Sequence, residues 1–200
     1  MNNKGQVLVI MALVVVLVMF LVRTEVSNIN SYEFSESNFV NSFMNIKNEF
    51  KKSGQITIWK NNYTVLNDFS SFLKERKDIE VFYSIVDYED SGLNMTFVNF
   101  LEEDIQEIQV SQNLTGSDDS ITSISSGSSD FVNFTTGSYS NDEPFQVNIS
   151  YVGSVSGTAY NHSFVSYAGN GRRVTVFYDL VLNYYNSFVR DKFTVFGSIS

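Results

Sequence analysis

The feature that most constrains this chain is an unbroken apolar run of sixteen residues near its start. Residues 7–22 read VLVIMALVVVLVMFLV, between Lys4 on one side and Arg23 on the other. At 1.5 Å per residue, a helix of this length reaches roughly 24 Å, slightly less than the ~30 Å hydrocarbon core of a bilayer. The run therefore predicts a membrane segment, with the Lys4 flank on the cytoplasmic side and the rest of the chain outside.

A cleaved secretory signal peptide is the main alternative for this run, and a buried helix of a globular domain is another. The residues that follow the run, Arg23 to Val26, lack the small-x-small pattern of an ordinary cleavage site. We therefore expect the apolar run to be retained. Its expected membrane- or filament-facing positions are Val7, Ile10, Leu13, Leu17 and Phe20.

The three residues Lys4, Gly5 and Gln6, directly before the run, resemble the class III signal peptide of archaeal type IV pilins and related pilin-like proteins. The resemblance implies that a prepilin peptidase cleaves between Gly5 and Gln6. It also implies a type IV pilus-like surface filament, with copies of this chain or other pilin-like subunits as partners. The family often carries Glu where this chain has Ile10, and this departure favours a minor or tip subunit.

The chain beyond the run keeps a helical pattern up to about residue 52. Neither Pro nor Gly interrupts residues 6–52, and Lys51, Lys52 and Gly54 resemble a helix C-terminus. We predict a leader over residues 1–5 and one long helix over 6–52, hydrophobic and then amphipathic. The apolar side chains on one face of its second half are Ile29, Tyr32, Phe39, Phe43, Ile46 and Phe50.

The pattern changes after Gly54. Residues 55–59 (QITIW) predict a short strand and residues 65–77 a second helix, and alternation of apolar and polar residues from 79 onward predicts about eight strands. The strands are expected at 79–88, 93–101, 105–111, 130–136, 145–152, 157–168, 172–182 and 188–199. The predicted fold class is α+β: the long N-terminal helix followed by an antiparallel immunoglobulin-like β-sandwich head over residues 53–200.

Two connections are also predicted from composition. Asn170-Gly171 is typical of a two-residue hairpin turn, and the Ser-rich segment 111–129 is expected to be a mobile loop that crosses between sheets.

The charges are distributed unevenly along the chain. No Lys or Arg occurs between Lys77 and Arg172, while that stretch holds fourteen acidic residues, so its formal charge is −14. A solvated acidic surface is the simplest interpretation, and carboxylate clusters such as Asp87, Glu89 and Asp90 leave cation binding open. The net charge of −9 argues against nucleic acid as a partner, because such affinity depends on clustered Lys and Arg.

Six Asn-x-Ser/Thr sequons follow the apolar run. Four have Thr at the third position, which exceeds the number expected from a chain with only eleven Thr residues. This bias predicts N-glycosylation of an outward-facing head. The candidate residues are Asn62, Asn94, Asn113, Asn133, Asn148 and Asn161.

Catalytic patterns are absent from the sequence. The chain has no Cys, and its single His162 is interpreted as a surface residue. Neither a G-x-S-x-G nucleophile motif nor a phosphate-binding loop occurs, so we expect no enzyme, no cofactor and no metal site. The cations Arg172, Arg173, Arg190 and Lys192 are expected to form a small patch that pairs with the acidic middle of this domain or of a neighbour.

Two functions of different classes remain open. One is the pilin-like structural subunit of a surface filament. The other is an immunoglobulin-like binding or adhesion module, held on the cell membrane by a permanent single-pass anchor. Pilin processing predicts a mature chain that begins at Gln6, whereas an uncleaved anchor keeps residues 1–5.

Overall fold

Two helices precede nine strands in the computed structural model of this chain, which describes residues 36–75, 79–139, 141–184 and 187–199. Residues 42–200 form one compact unit, and the described residues 36–41 belong to the unit before it. The predicted leader and the apolar run, with Gly5, Gln6, Val7, Ile10, Leu13, Leu17 and Phe20, lie outside the described residues.

The secondary structure elements follow one another without interleaving of helices and strands. The helices are α1 (Glu36–Lys60) and α2 (Thr64–Lys74). The strands are β1 (Ile79–Glu89), β2 (Gly92–Phe100), β3 (Ile105–Gln112), β4 (Asp118–Ile121), β5 (Ser128–Thr135), β6 (Glu143–Gly153), β7 (Ala159–Ala168), β8 (Arg172–Tyr184) and β9 (Ser187–Ile199).

The strands form two antiparallel sheets. One sheet has five strands in the order β5-β2-β1-β8-β9, and the other has four in the order β4-β3-β6-β7. In the larger sheet β1 is central, so that Tyr83 lies opposite Val98 of β2 on one side and Tyr178 of β8 on the other.

The larger sheet is covered on both faces, which explains why nearly every residue of β1 is buried. Phe82 points toward the smaller sheet, and its ring centre lies 4.5 Å from that of Tyr151. Tyr83 points the other way, toward Tyr178, whose ring lies 5.6 Å from Phe50 of α1. The compact unit therefore has three layers: helices, five-stranded sheet and four-stranded sheet.

The predicted α+β fold class is wrong. The compact unit is mostly β-sheet, and the helix that the structure describes runs over Glu36–Lys60 rather than ending at residue 52. Within the described residues, neither helix combines the length and apolar character that a membrane span requires. The immunoglobulin-like strand order is also wrong, because β1 is central here, whereas the first strand of that fold lies at a sheet edge.

The predicted strand at residues 55–59 is part of helix α1. Gly54 does not end the helix but lets it approach β8, because a Cβ at this position would collide with the hydroxyl of Tyr178. Phe50, Gly54 and Ile58 are buried at four-residue spacing, as expected for one helical face. The alternation of apolar and polar residues in QITIW suggested a strand. So short a segment fits the two-residue period of a strand and the 3.6-residue period of a helix equally well.

Substituting Gly54 tests this close packing. We expect Gly54→Ala to lower the free energy of unfolding by about 1–3 kcal/mol, because overpacking outweighs the better helix propensity of Ala. Urea unfolding followed by near-UV circular dichroism measures the change. Gln55→Ala on the exposed face is the control and should be close to neutral. A Gly54→Ala protein as stable as wild type would mean that the Tyr178 side chain can move away from the new Cβ without lowering the free energy of unfolding.

Most predicted strands occur close to their expected positions, but two connections differ. Asn170-Gly171 is not a hairpin, since it joins β7 of the smaller sheet to β8 of the larger one. The Ser-rich segment crosses between the sheets but contains strand β4, and its Ile121 and Ile124 are buried in the core. These two apolar side chains anchor a segment that composition alone marks as a loop.

Candidate functional site

The outer face of the four-stranded sheet contains a groove of about 750 Å³, here called the polar groove. All four strands of that sheet contribute to it. Its lining residues are Glu107, Gln109, Val110 and Ser111 from β3, Asp118, Asp119 and Ser120 from β4, Asn148, Ile149 and Ser150 from β6, and Asn161, His162 and Ser163 from β7.

The polar character of the groove follows from strand alternation. In β6, Val147 and Ile149 are buried between the sheets, which leaves Asn148 and Ser150 on the outer face. In β3, Gln109 donates a hydrogen bond to Glu107 Oε1 at 3.0 Å. The groove therefore offers hydroxyl, amide and carboxylate groups, which suit a partner that brings hydrogen-bond donors.

The groove is also acidic. Glu107, Asp118 and Asp119 line it, and its lining within the described part of the chain includes neither Lys nor Arg. Both aspartates of the edge strand β4 are exposed, but only Asp118, opposite Ser111, directs its carboxylate into the groove; Asp119 lies opposite the buried Val110, so its side chain is on the other face of the sheet. The charge favours a cationic ligand or a cationic surface on a partner.

A buried polar cluster lies beneath β7 of the groove. His162 is 5% exposed, and its ring lies between those of Tyr151 and Phe177. Its Nε2 is 3.0 Å from Asp179 Oδ2, although neither ring nitrogen makes a regular hydrogen bond within the described residues. The interpretation of His162 as a surface residue is therefore wrong, while its neighbours Asn161 and Ser163 are exposed.

Asp179 is the centre of this cluster. Arg190 Nε donates to Asp179 Oδ1 at 2.6 Å, Arg190 Nη2 pairs with Oδ2, and the Tyr151 hydroxyl donates to Oδ2 at 3.1 Å. Burial disfavours the charged carboxylate, but the contacts with His162 and Arg190 outweigh it and lower the pKa of Asp179 to about 2. The carboxylate is therefore charged at neutral pH.

The cluster links strands of both sheets rather than exposing a reactive group. Arg190 also lies over the Tyr160 ring, 3.9 Å from its centre. Burial and the charge of Asp179 raise the pKa of Tyr151, so its hydroxyl remains a hydrogen-bond donor. β6, β7, β8 and β9 are thereby joined through one carboxylate.

Sequence reasoning missed Asp179, although a signal was present. Asp179 interrupts the apolar sequence VTVFYDLVL of β8, and a carboxylate within a buried strand is rarely left unpaired. Its partners were not evident, because Tyr151 and His162 lie on strands of the other sheet. The polar groove was missed for the same reason, since it combines four strands that are distant in the sequence.

The six sequon asparagines are all exposed. Asn148 and Asn161 line the polar groove, while Asn94 of β2 lies directly opposite Asn133 of β5. The side chain of Asn113 accepts a hydrogen bond from the Gln146 backbone. In the α1–α2 turn, Asn62 accepts one from the Thr64 hydroxyl at 2.7 Å. Exposure makes these residues accessible, and their glycosylation stays a prediction.

The acidic clusters mainly hold the fold together. Asp87 pairs with Arg172 and accepts a hydrogen bond from Tyr63, which lies between α1 and α2. Glu103 accepts from the backbone amides of Val155 and Ser156. The described residues contain no group of three or more metal-ligating side chains.

The four cations near the C-terminus do not form one patch. Arg172 pairs with Asp87 of β1, Arg173 with Asp142 just before β6, and Arg190 with Asp179 of β8, at three separate places. Lys192 is exposed. Two of these pairs do join a C-terminal arginine to the acidic middle of the chain, at Asp87 and at Asp142.

Comparison of the chain with protein-family models, with curated proteins and with solved structures found no match.

Proposed function

We propose that this chain is a pilin-like structural subunit of a cell-surface filament similar to archaeal type IV pili. The observation that carries the proposal is the Lys4-Gly5-Gln6 sequence directly before the apolar run of residues 7–22. The chain is then cleaved by a prepilin peptidase, held in the membrane by its apolar segment and displayed with residues 42–200 outside the cell. A minor or tip position accords with Ile10.

The fold of the compact unit is compatible with a displayed head. Residues 42–200 have their own core between the sheets and a second one under the helices, with Phe82, Phe97 and Phe50 fully buried. The exposed sequon residues suit an extracellular surface. The single His162 is enclosed in the core, so it is not placed to act on a substrate.

The polar groove favours a second candidate, an anchored binding or adhesion module at the cell membrane. A groove of about 750 Å³ lies in the range of ligand-binding pockets, ~300–1,000 Å³. Both candidates use the same head, and they differ in what happens to residues 1–5.

Processing at Gly5 distinguishes the two candidates. We expect mass analysis of the native protein to find Gln6 as its first residue, and Gly5→Val to abolish this shortened form almost completely, because a branched side chain replaces the small residue before the cleaved bond. Asn2→Val, three residues away, is the matched control and should be cleaved normally. Native protein that retains residues 1–5 would contradict prepilin-type processing, and its presence in the membrane without filaments would favour the anchored module.

A further inference from the structure

Trp59, the only tryptophan of the chain, lies near the end of α1 with 81% of its surface exposed. Lys52, Ile56 and Lys60 lie on the same side of the helix at three- and four-residue spacings and are also exposed. We call these four residues the Trp59 stripe. A nearly bare indole is a large apolar surface in water, and Trp is enriched among the residues that dominate binding energies.

The Trp59 stripe and the polar groove lie on opposite sides of the compact unit. Helix α1 covers one face of the five-stranded sheet, where Ile58 approaches Gly197 and Phe50 meets Tyr178. The four-stranded sheet covers the other face, and the groove is on its outer side. The two surfaces cannot meet within one copy, but they can meet between copies.

The two surfaces are complementary in charge and in shape. The stripe has two exposed lysines, Lys60 and Lys52, of which Lys52 also pairs with the exposed Glu49. The groove has the outward carboxylates of Glu107 and Asp118, and a lining without Lys or Arg in the described part of the chain. The groove volume of about 750 Å³ is large enough for an indole with a neighbouring lysine. Its hydroxyl and amide oxygens can accept the indole N–H, which needs an acceptor when it is buried.

We propose that the Trp59 stripe of one copy binds in the polar groove of a second copy. The indole of Trp59 enters the groove, and the two lysines of the stripe pair with Glu107 and Asp118, whose side chains are on the outer face of the sheet. Because the two surfaces differ and lie on opposite sides, the contact is heterologous, with the stripe of one copy against the groove of the next wherever two copies are adjacent. The inference rests on the proposed function, for which it supplies a contact between neighbouring heads.

The single tryptophan makes the contact measurable in the full-length protein in detergent. As the protein concentration rises, we expect the Trp59 emission to shift to shorter wavelength and its quenching by acrylamide to fall. Added salt should reverse both effects, because exposed charge pairs are screened. Glu107→Gln with Asp118→Asn should weaken the association at least about tenfold. Asp130→Asn with Glu143→Gln removes the same charge from exposed acids outside the groove and should leave it unchanged.

A mixing experiment tests the head-to-tail geometry. Trp59→Ala keeps the groove but removes the indole, and the Glu107→Gln/Asp118→Asn protein keeps the indole but has a weakened groove. Neither should associate with itself at concentrations where wild type does. Mixed together they should form one contact, and the emission shift should return.

Three results would overturn the inference. Emission that does not depend on protein concentration would show that the stripe has no partner in a second copy. A shift that survives in the Glu107→Gln/Asp118→Asn protein would exclude the groove as the acceptor. A shift with anionic lipid vesicles, without self-association, would identify the stripe as a membrane-binding surface instead.

Failure of this inference and failure of the proposed function are distinguishable. If the chain begins at Gln6 but Trp59 stays exposed at every concentration, the proposed function stands and the inference fails. If residues 1–5 are retained while the mixed variants restore the shift, the inference stands and pilin-type processing fails.

Discussion

Replacing Asp179 by Ala is expected to lower the free energy of unfolding by about 3–5 kcal/mol, which is typical when one partner of a buried ion pair is removed. Asp179 is fully buried and receives contacts from Arg190, Tyr151 and His162. Without the carboxylate, Arg190 keeps its charge with only about a fifth of its side chain exposed. Urea unfolding followed by near-UV circular dichroism measures the loss.

A second ion pair, formed by a residue of the neighbouring strand β9, provides the matched control. Asp191 pairs with Lys47 of α1, but its side chain is 38% exposed. Asp191→Ala should therefore cost about 1 kcal/mol or less. Replacing both charged partners, with Asp179→Leu and Arg190→Met together, should cost less than Asp179→Ala alone, since no buried charge is left unpaired. Equal losses in Asp179→Ala and Asp191→Ala would contradict the assignment of Asp179 as the centre of the cluster.

The pH dependence of the free energy of unfolding in acid gives an independent test of the role of Asp179. Its pKa is lower in the folded protein, about 2, than the usual carboxyl value of 3.8. Its stabilising contribution is therefore complete above the unfolded pKa and is lost as the pH falls from about 4 toward 2. Asp179→Asn should show a smaller loss of stability over this range than wild type does.

Phe82→Ala is the second substitution with a large expected effect, about 3–5 kcal/mol. Phe82 lies in the central strand β1, is fully buried, and contacts Phe97 of its own sheet and Tyr151 of the other. Removing the ring leaves a cavity between the two sheets, and the strand pairing within each sheet lets the site collapse only partly. The same urea experiment measures the change.

Phe131 is the control for Phe82. It lies on the edge strand β5 and is 61% exposed, so Phe131→Ala should change the free energy of unfolding by about 0.5 kcal/mol or less. If Phe82→Ala were also near neutral, the core between the sheets could not be a major source of stability.

Most of the β-strands were predictable because they have a solvent-facing or polar side along much of their length. β6 alternates strictly, with Phe145, Val147 and Ile149 buried and the residues between them exposed. β1 was recognisable for another reason, since it is a run of β-branched and aromatic residues buried on both faces. The short β4 was missed because DDSI has a single apolar residue, Ile121, to mark it.

The helix boundary and the site were not predictable, because both depend on contacts between distant residues. Gly54 resembles a helix stop in sequence, but the Tyr178 hydroxyl on β8 explains why a glycine is needed there. His162 was expected at the surface because its two neighbours are polar. Alternation along β7 turns it inward, where Asp179 from the other sheet meets it.

The sequence by itself determined the local properties of this protein: the period-two segments that become strands, the separation of acidic and basic stretches, the sequons, and the apolar run with its Gly5-Gln6 junction. These properties follow from side chains close to each other along the chain. Only the tertiary structure decided the strand order, the passage of α1 through Gly54, the Asp179 cluster, and the positions of Trp59 and the polar groove on opposite sides. Each of these depends on which distant strands pair, and pairing is selected by the burial of the whole core rather than by any one segment.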